Sequence, residues 1–245
     1  KINLKKTDEE TGKGEPQGAA KLEGAVYGVY DASGTQVDEL TTDAKGEAVS
    51  KELPLGNYTV KETRASNGYL VDQAAHAVNG AKPKDTTTRV FEYKVGSGED
   101  VIRGDVEIVK FIENLDADDD TIQGLAGIEF TFTSKTTGEK VLVIRTDKNG
   151  FATTASKENP RGTLVFDTYR VEETKHPENV KAIKPFDVTV SEEGVTLKGI
   201  YKEDKLIVSP VTVVKKDKSS GKTIPAANVT FRLLDENKEP VTMTT

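Results

Sequence analysis

A chain of 245 residues has room for two domains of ordinary size, and 35% hydrophobic against 31% charged residues predicts thin cores under well-solvated surfaces. A net charge of −7 disfavours nucleic acid and anionic membrane as partners, since both reward clustered Lys and Arg, and no apolar run approaches the ~20 residues that cross a bilayer. Cysteine is absent, which excludes disulfides, thiol catalysis and cysteine-based zinc sites, while the lack of tryptophan and the single methionine advertise no aromatic or methionine-lined ligand cavity.

The chain opens on "KINLKKTD", already a strand pattern, and so reads as a mature fragment without a signal peptide. Alternation puts Ile2, Leu4 and Lys6 on one face, so an apolar face ends in an amine. "LEGAVYGVYDASGTQVDELTTDAKGEA" (22–48) follows, with a small-residue entry, an alternating strand, a Gly turn, a second strand and a Thr-Asp…Gly turn. "LPLGN" (53–57) lacks the Thr-Gly, apolar span and basic tail of a sorting signal and reads as a turn. In "GNYTVKETRASNGY" (56–69), Tyr58 and Val60 share a face with Glu62, so a second buried face ends in a carboxylate. The acidic pair in "GSGED" closes this first unit.

The plan then repeats. "VEIVKF" (106–111) places Val106 and Ile108 with Lys110, and "LAGIEFTFTSKTTGEKVLVIRTDKNGFA" (125–152) matches the earlier segment in plan. "DTYRVEETKHPENV" (167–180) puts Tyr169 and Val171 on one face with Glu173, and "YKED" ends at Asp204. "VTVVKKD" (211–217) opens a third unit with Val211, Val213 and Lys215 on one face. The lysine spacings are 110 − 6 = 104 and 215 − 110 = 105, and Asp100 to Asp204 is again 204 − 100 = 104. Such a period is one small β domain, longer than the ~20–50 residues of a solenoid repeat. The expected organisation is all-β, with β-sandwich units at 1–104 and 105–209, and the opening part of an incomplete third at 210–245. Almost no linker separates them, which favours an elongated rod.

Recurrence in two units gives the inward charges a specific meaning beyond a structural ion pair or strand-end snorkelling. A buried charge must be paired or neutralised. A last strand beside the first would bring Asp204 to Lys110, and Asp100 or Glu99 to Lys6, with Asp100 favoured. Desolvation then lowers the lysine pKa and raises that of the glutamate. The neutral amine attacks the carboxyl carbon, the glutamate shuttles protons, and water leaves as a side-chain amide forms. The candidate cross-links are therefore Lys6–Asp100 and Lys110–Asp204, with Glu62 and Glu173 in the catalytic role.

These residues carry a family resemblance over nearly the whole chain. "LEGAVYGVY" and "LPLGNYTVKETRASNGY" after the Lys6 strand, and "LAGIEFTF" and "TYRVEETKHPENV" after the Lys110 strand, resemble the Cna B-type (SpaA-like) domains of Gram-positive surface adhesins and pilins. The resemblance implies a prealbumin-like, reversed-Ig sandwich and a spontaneous Lys–Asx isopeptide bond with a catalytic Glu. Two departures stand out: both candidate acceptors are Asp where the family often has Asn, and "ASNGY" lacks the usual Pro. The expected function is a structural stalk segment of a cell-wall-anchored surface protein or pilus. It would be extracellular, anchored through regions outside this segment, and an enzyme only in the single-turnover sense. The alternative is a ligand-binding adhesin module for host matrix protein or glycan, which 6% aromatic content weakens. Partners are expected to be host matrix or other pilus subunits, met through regions outside this segment. No cofactor or metal is expected. "DADDD" (116–120) lacks the glycine of a calcium loop, no "YPK" pilin motif appears, and His76 and His176 read as exposed loop residues.

Overall fold

A computed structural model describes residues 1–80, 90–112, 123–206, 212–225, 230–234 and 237–240, with the side chains of Tyr201 and Leu206 excepted. The acidic run at 116–120 lies outside the described residues. The described residues form strands and turns without an α-helix.

The first unit contains β1 (Ile2–Asp8), β2 (Val26–Asp31), β3 (Gln36–Thr41), β4 (Glu47–Val49), β5 (Asn57–Arg64), β6 (Ala75–Asn79) and β7 (Tyr93–Glu99). They make two sheets, ordered β4-β1-β7 and β3-β2-β5-β6. Their inner faces meet in a core of Ile2, Leu4, Tyr27, Val29, Leu40, Val60, Val78 and Val95. The second unit contains β8 (Arg103–Ile112), β9 (Gln123–Gly124), β10 (Glu129–Ser134), β11 (Lys140–Arg145), β12 (Phe151–Thr153), β13 (Leu164–Val165), β14 (Asp167–Lys175), β15 (Val180–Lys181), β16 (Phe186–Val190) and β17 (Val195–Leu206). One sheet runs β11-β10-β14-β16; the other runs β12-β8-β17-β15, with β9 and β13 also on β8. Its core is built around Val106, Ile108, Ile128, Phe130, Phe132, Tyr169 and Val171. Each fully buried aliphatic or aromatic side chain contributes about 1.5–3 kcal/mol, so these thin cores carry most of the stability. In each unit the first strand pairs in parallel with the last: β1 with β7, and β8 with β17.

The strand expected over 211–217 does not form over its described residues. Residues 215–224 fold back on themselves through a Lys216–Thr223 bridge and the bonds Asp217 N–H to Lys222 O and Ile224 N–H to Lys215 O. A strand needs a hydrogen-bonded neighbour, and among the described residues this segment pairs only with its own turn. Lys215 is exposed.

The two units abut. Ala20, Leu22, Tyr69 and Val101 form a small buried cluster against Val165 and Phe166. Backbone bonds from Ala19 N–H to Phe166 O (2.9 Å) and from Phe166 N–H to Ile102 O (2.8 Å) cross the junction. Arg103 grips Glu10 with two nitrogens, at 2.8 and 2.5 Å. Arg161 donates to Glu193 (2.7 Å) and to Val101 O (2.8 Å), and pairs with Asp100 (2.8 Å). A bidentate arginine–carboxylate pair fixes orientation as well as charge.

Hydrogen bonding to Arg103 holds the Glu10 carboxyl below its ordinary value of 4.5. A depressed carboxyl stabilises the state that contains it above the ordinary pKa and loses that effect as pH falls through the shifted value. Acidification below about pH 4.5 should therefore loosen the junction before either sandwich melts. Lower amide protection factors at Ile102 and Phe166 in acid, each taken relative to the intrinsic exchange rate at that pH and matched at neutral pH by Arg103→Ala, are the expected readout.

Candidate functional site

The inner face of β1 alternates Ile2, Leu4, Lys6 and Asp8, all buried, and the equivalent face of β8 carries Val106, Ile108 and Lys110. Neither lysine side chain exposes any surface. The residues that hold them are repeated too. A tight turn after each second sheet strand brings a glycine carbonyl to the lysine N–H, Gly46 O to Lys6 (2.8 Å) and Gly150 O to Lys110 (2.7 Å). Both glycines have φ of +74°. Thr42 and Thr146 brace those turns, accepting from Ala25 N–H and Ile128 N–H and donating to Leu22 O and Leu125 O.

The glutamates come from the opposite sheet. Tyr27 faces Glu62 across β2 and β5, and Phe130 faces Glu173 across β10 and β14. In both pairings the register slips by one residue just beyond the glutamate, leaving Thr63 or Thr174 as the extra residue. Each hydroxyl donates to the facing strand, Thr63 to Val26 O and Thr174 to Glu129 O. A bulge here re-aims the strand end so that the carboxylate turns into the core.

In the second unit three expected residues converge. Lys110 Nζ lies 3.2 Å from Glu173 and closer still to Asp204 Oδ1. All three side chains are buried. One oxygen of each carboxylate, Glu173 Oε1 and Asp204 Oδ2, has no hydrogen-bond partner among the described residues. Burial raises the Asp204 pKa, against the opposing pull of the Lys110 hydrogen bond.

In the first unit, Lys6 Nζ contacts Glu99 Oε2, with both side chains fully buried. Asp100 does not approach it; its side chain is 46% exposed and paired with Arg161. Alternation explains this placement. Val95, Ser97 and Glu99 face the core, so Asp100 points away. The equal spacing of Asp100 and Asp204 misleads because β17 contains an irregularity. Its offset from β8 is 197 − 106 = 91 before the irregularity and 204 − 112 = 92 after it, whereas β7 keeps 99 − 8 = 91 from β1. One inserted residue makes Glu99, not Asp100, the structural equivalent of Asp204.

Burial pulls the Lys6 amine down to about 8, opposed by the charges of Glu62 and Asp72. Burial raises the Glu62 pKa, partly offset by the hydrogen bond from Asp72 N–H (2.5 Å). Asp72 is itself held by Ser97 Oγ (2.7 Å) and His76 Nε2 (2.6 Å). His76 thus stands half-buried on β6 with a partner, contrary to the exposed loop position expected; His176 is exposed. Tyr27, Asp72 and Ser97 were not legible as site residues, although the alternation of Val95, Ser97 and Glu99 was a usable signal.

Two all-β sandwiches in tandem, each closing a lysine from its first strand against a carboxylate from its last, define a repeated structural module. The family model for the SpaA prealbumin-like fold domain matches residues 1–94 and 111–205, and the chain belongs to that family. It is 37% identical over 57 residues to the trypsin-resistant surface T6 protein of Streptococcus pyogenes serotype M6, a match covering 23% of this chain and 11% of that protein. The TIE protein of Bacillus anthracis superposes with a TM-score of 0.59 at 24% identity, over 84% of this chain and 34% of that one. The minor pilin GBS52 of Streptococcus agalactiae aligns over 87% of this chain and 99% of its own, at 17% identity and a TM-score of 0.40. The chain thus spans about a third or less of the first two relatives.

The glycine turn offers a test of how tightly the lysine is held. A Cβ at Gly46 would come within 2.7 Å of Lys6 O in a backbone conformation that side chains rarely adopt. Gly46→Ala should cost the first unit about 1–3 kcal/mol. Calorimetry should show its melting transition lowered, with that of the second unit unchanged.

Proposed function

We propose that this chain is a structural stalk segment of a Gram-positive surface protein or pilus, extracellular, and cross-linked within its second unit by an amide between Lys110 and Asp204. The observation that supports this reading most is the fully buried Lys110 amine against Asp204, with Glu173 at 3.2 Å. Burying one such charge without compensation costs several kcal/mol. An amide removes both charges permanently. The neutral amine adds to the Asp204 carboxyl carbon, which burial keeps toward its protonated form. Glu173 takes a proton from nitrogen and returns one to the departing oxygen, and water leaves. The second unit performs this reaction once on itself, a single turnover that consumes its own side chains. The surface location and the pilus assignment draw on the relatives named above.

The mechanical argument follows from strand order. Tension enters the second unit along β8 and leaves along β17, its parallel neighbour. A bond from Lys110 to Asp204 would pass that tension directly between the two strands and shield the residues between them. It would close a loop of 204 − 110 + 1 = 95 residues. By analogy with a disulfide, such a loop restricts the unfolded chain by about 4–5 kcal/mol. That is a large share of the roughly 5–15 kcal/mol of an ordinary domain.

Intact mass is the first check. The second unit should be one water lighter than its sequence, and Glu173→Ala should restore that water. A linear peptide containing unmodified Lys110 in the mature protein would refute the reading. Under a pulling force, Lys110→Ala should let the second unit extend fully, whereas the wild-type unit should stay short.

A further inference from the structure

We propose that the first unit closes on itself through an amide between Lys6 and Glu99, and that the phenol of Tyr27 is a catalytic residue for that bond. The inference rests on the cross-linking reading given for the second unit, but assigns a different acceptor and an additional group.

Three observations carry it. Glu99 occupies the register position of Asp204 once the inserted residue in β17 is counted, and its longer side chain reaches Lys6 from there. Lys6 Nζ and Glu99 Oε2 are in contact, fully buried, and neither has a hydrogen-bond partner among the described residues. The other carboxyl oxygen, Glu99 Oε1, accepts a 2.5 Å hydrogen bond from Tyr27 Oη, and Tyr27 is fully buried. Burial pushes the phenol above its ordinary range, so it remains a donor under physiological conditions.

The second unit shows what is special here. Phe130 stands at the register of Tyr27, facing Glu173 as Tyr27 faces Glu62. Glu173 makes an ion pair with Lys110, whereas among the described residues no ion pair joins Glu62 to Lys6. The direct glutamate contact of the second unit is thus replaced by a hydroxyl on the acceptor. The ring of Tyr69, 4.3 Å from Lys6 Nζ, closes another side of the amine.

The chemistry balances without a further reactant. Neutral Lys6 Nζ adds to Glu99 Cδ in its acid form, and negative charge grows on Oε1, where Tyr27 O–H already points. A preorganised donor at a developing oxyanion is the arrangement that lowers such a barrier. The nitrogen gives up one proton to Oε2, which it already touches, and Oε2 leaves as water while Oε1 becomes the amide oxygen.

The test uses the full 245-residue chain. Peptide mapping of mature protein should recover Lys6 joined to Glu99 and one water missing, in addition to the water lost in the second unit. Glu99→Gln should release ammonia instead and yield a mature mass identical to wild type. Glu99→Ala should retain only the second-unit link, and Asp100→Ala should retain both. After cell-free synthesis and timed quenching, Tyr27→Phe should form the first link about 100-fold more slowly. The second link, forming at its normal rate, reports that the chain has folded, and an unchanged melting profile of the first unit once its link is complete excludes misfolding there. An unlinked Lys6, or Lys6 joined to Asp100, beside an intact Lys110–Asp204 bond would overturn this proposal alone. A wild-type rate in Tyr27→Phe would remove the role of the phenol. Loss of both links would refute the cross-linking reading itself.

Discussion

A lysine amine held out of water on the first strand of a sandwich sets the terms for everything around it. Desolvating such a group costs several kcal/mol, more than any single side chain in these thin cores returns. The surrounding structure therefore converges on one atom. A glycine turn clamps the lysine backbone, a threonine braces the turn, a bulge redirects a glutamate from the opposite sheet, and the last strand delivers a carboxylate. The same devices appear at matched positions in both units, which marks them as one mechanism of folding around a charge.

The units solve the remaining problem differently. In the second, Lys110 is shared between Asp204 and Glu173 in a compact triad. Each glutamate also accepts from a backbone N–H ten residues on, Glu62 from Asp72 and Glu173 from Ile183, but in the first unit Asp72 is secured by Ser97 and His76, and Tyr27 caps the carboxyl that meets Lys6. Tyr for Phe, Glu for Asp and the Asp72–Ser97–His76 cluster separate the two arrangements.

What was legible in the sequence follows the range of the physics involved. Strand alternation is a local rule, so the inward positions of Lys6, Lys110, Glu62 and Glu173 could be read directly. The sandwich class and the tandem repeat were legible for the same reason, since turn chemistry and periodicity recur within each unit. Between Asp100 and Glu99 as the acid that meets Lys6, the spacing argument favoured Asp100, because it could not see an irregularity in β17, and a register shift is set by the partner strand. Gly199, at φ +75° inside that strand, and the alternation of Val95, Ser97 and Glu99 were local hints. The expected strand at 211–217 is missing over its described residues for a related reason: an alternating pattern states which face would be buried, but not whether a neighbour is there to pair with it. Tyr27 looked like ordinary core, since only the third dimension reveals what a buried hydroxyl points toward.

The parallel pairing of first and last strands also governs how such units can be joined. Because β1 and β7 run the same way, the chain enters a unit at one end and leaves at the other. Only residues 100–102 separate β7 from β8, so the next unit begins where the last one ends. An antiparallel closing strand would return the chain to its starting side, and each added unit would have to double back across its predecessor. With this topology, modules can be gained or lost by duplication and deletion at the short seams, changing the reach of the array while leaving the interior of every remaining module as it was.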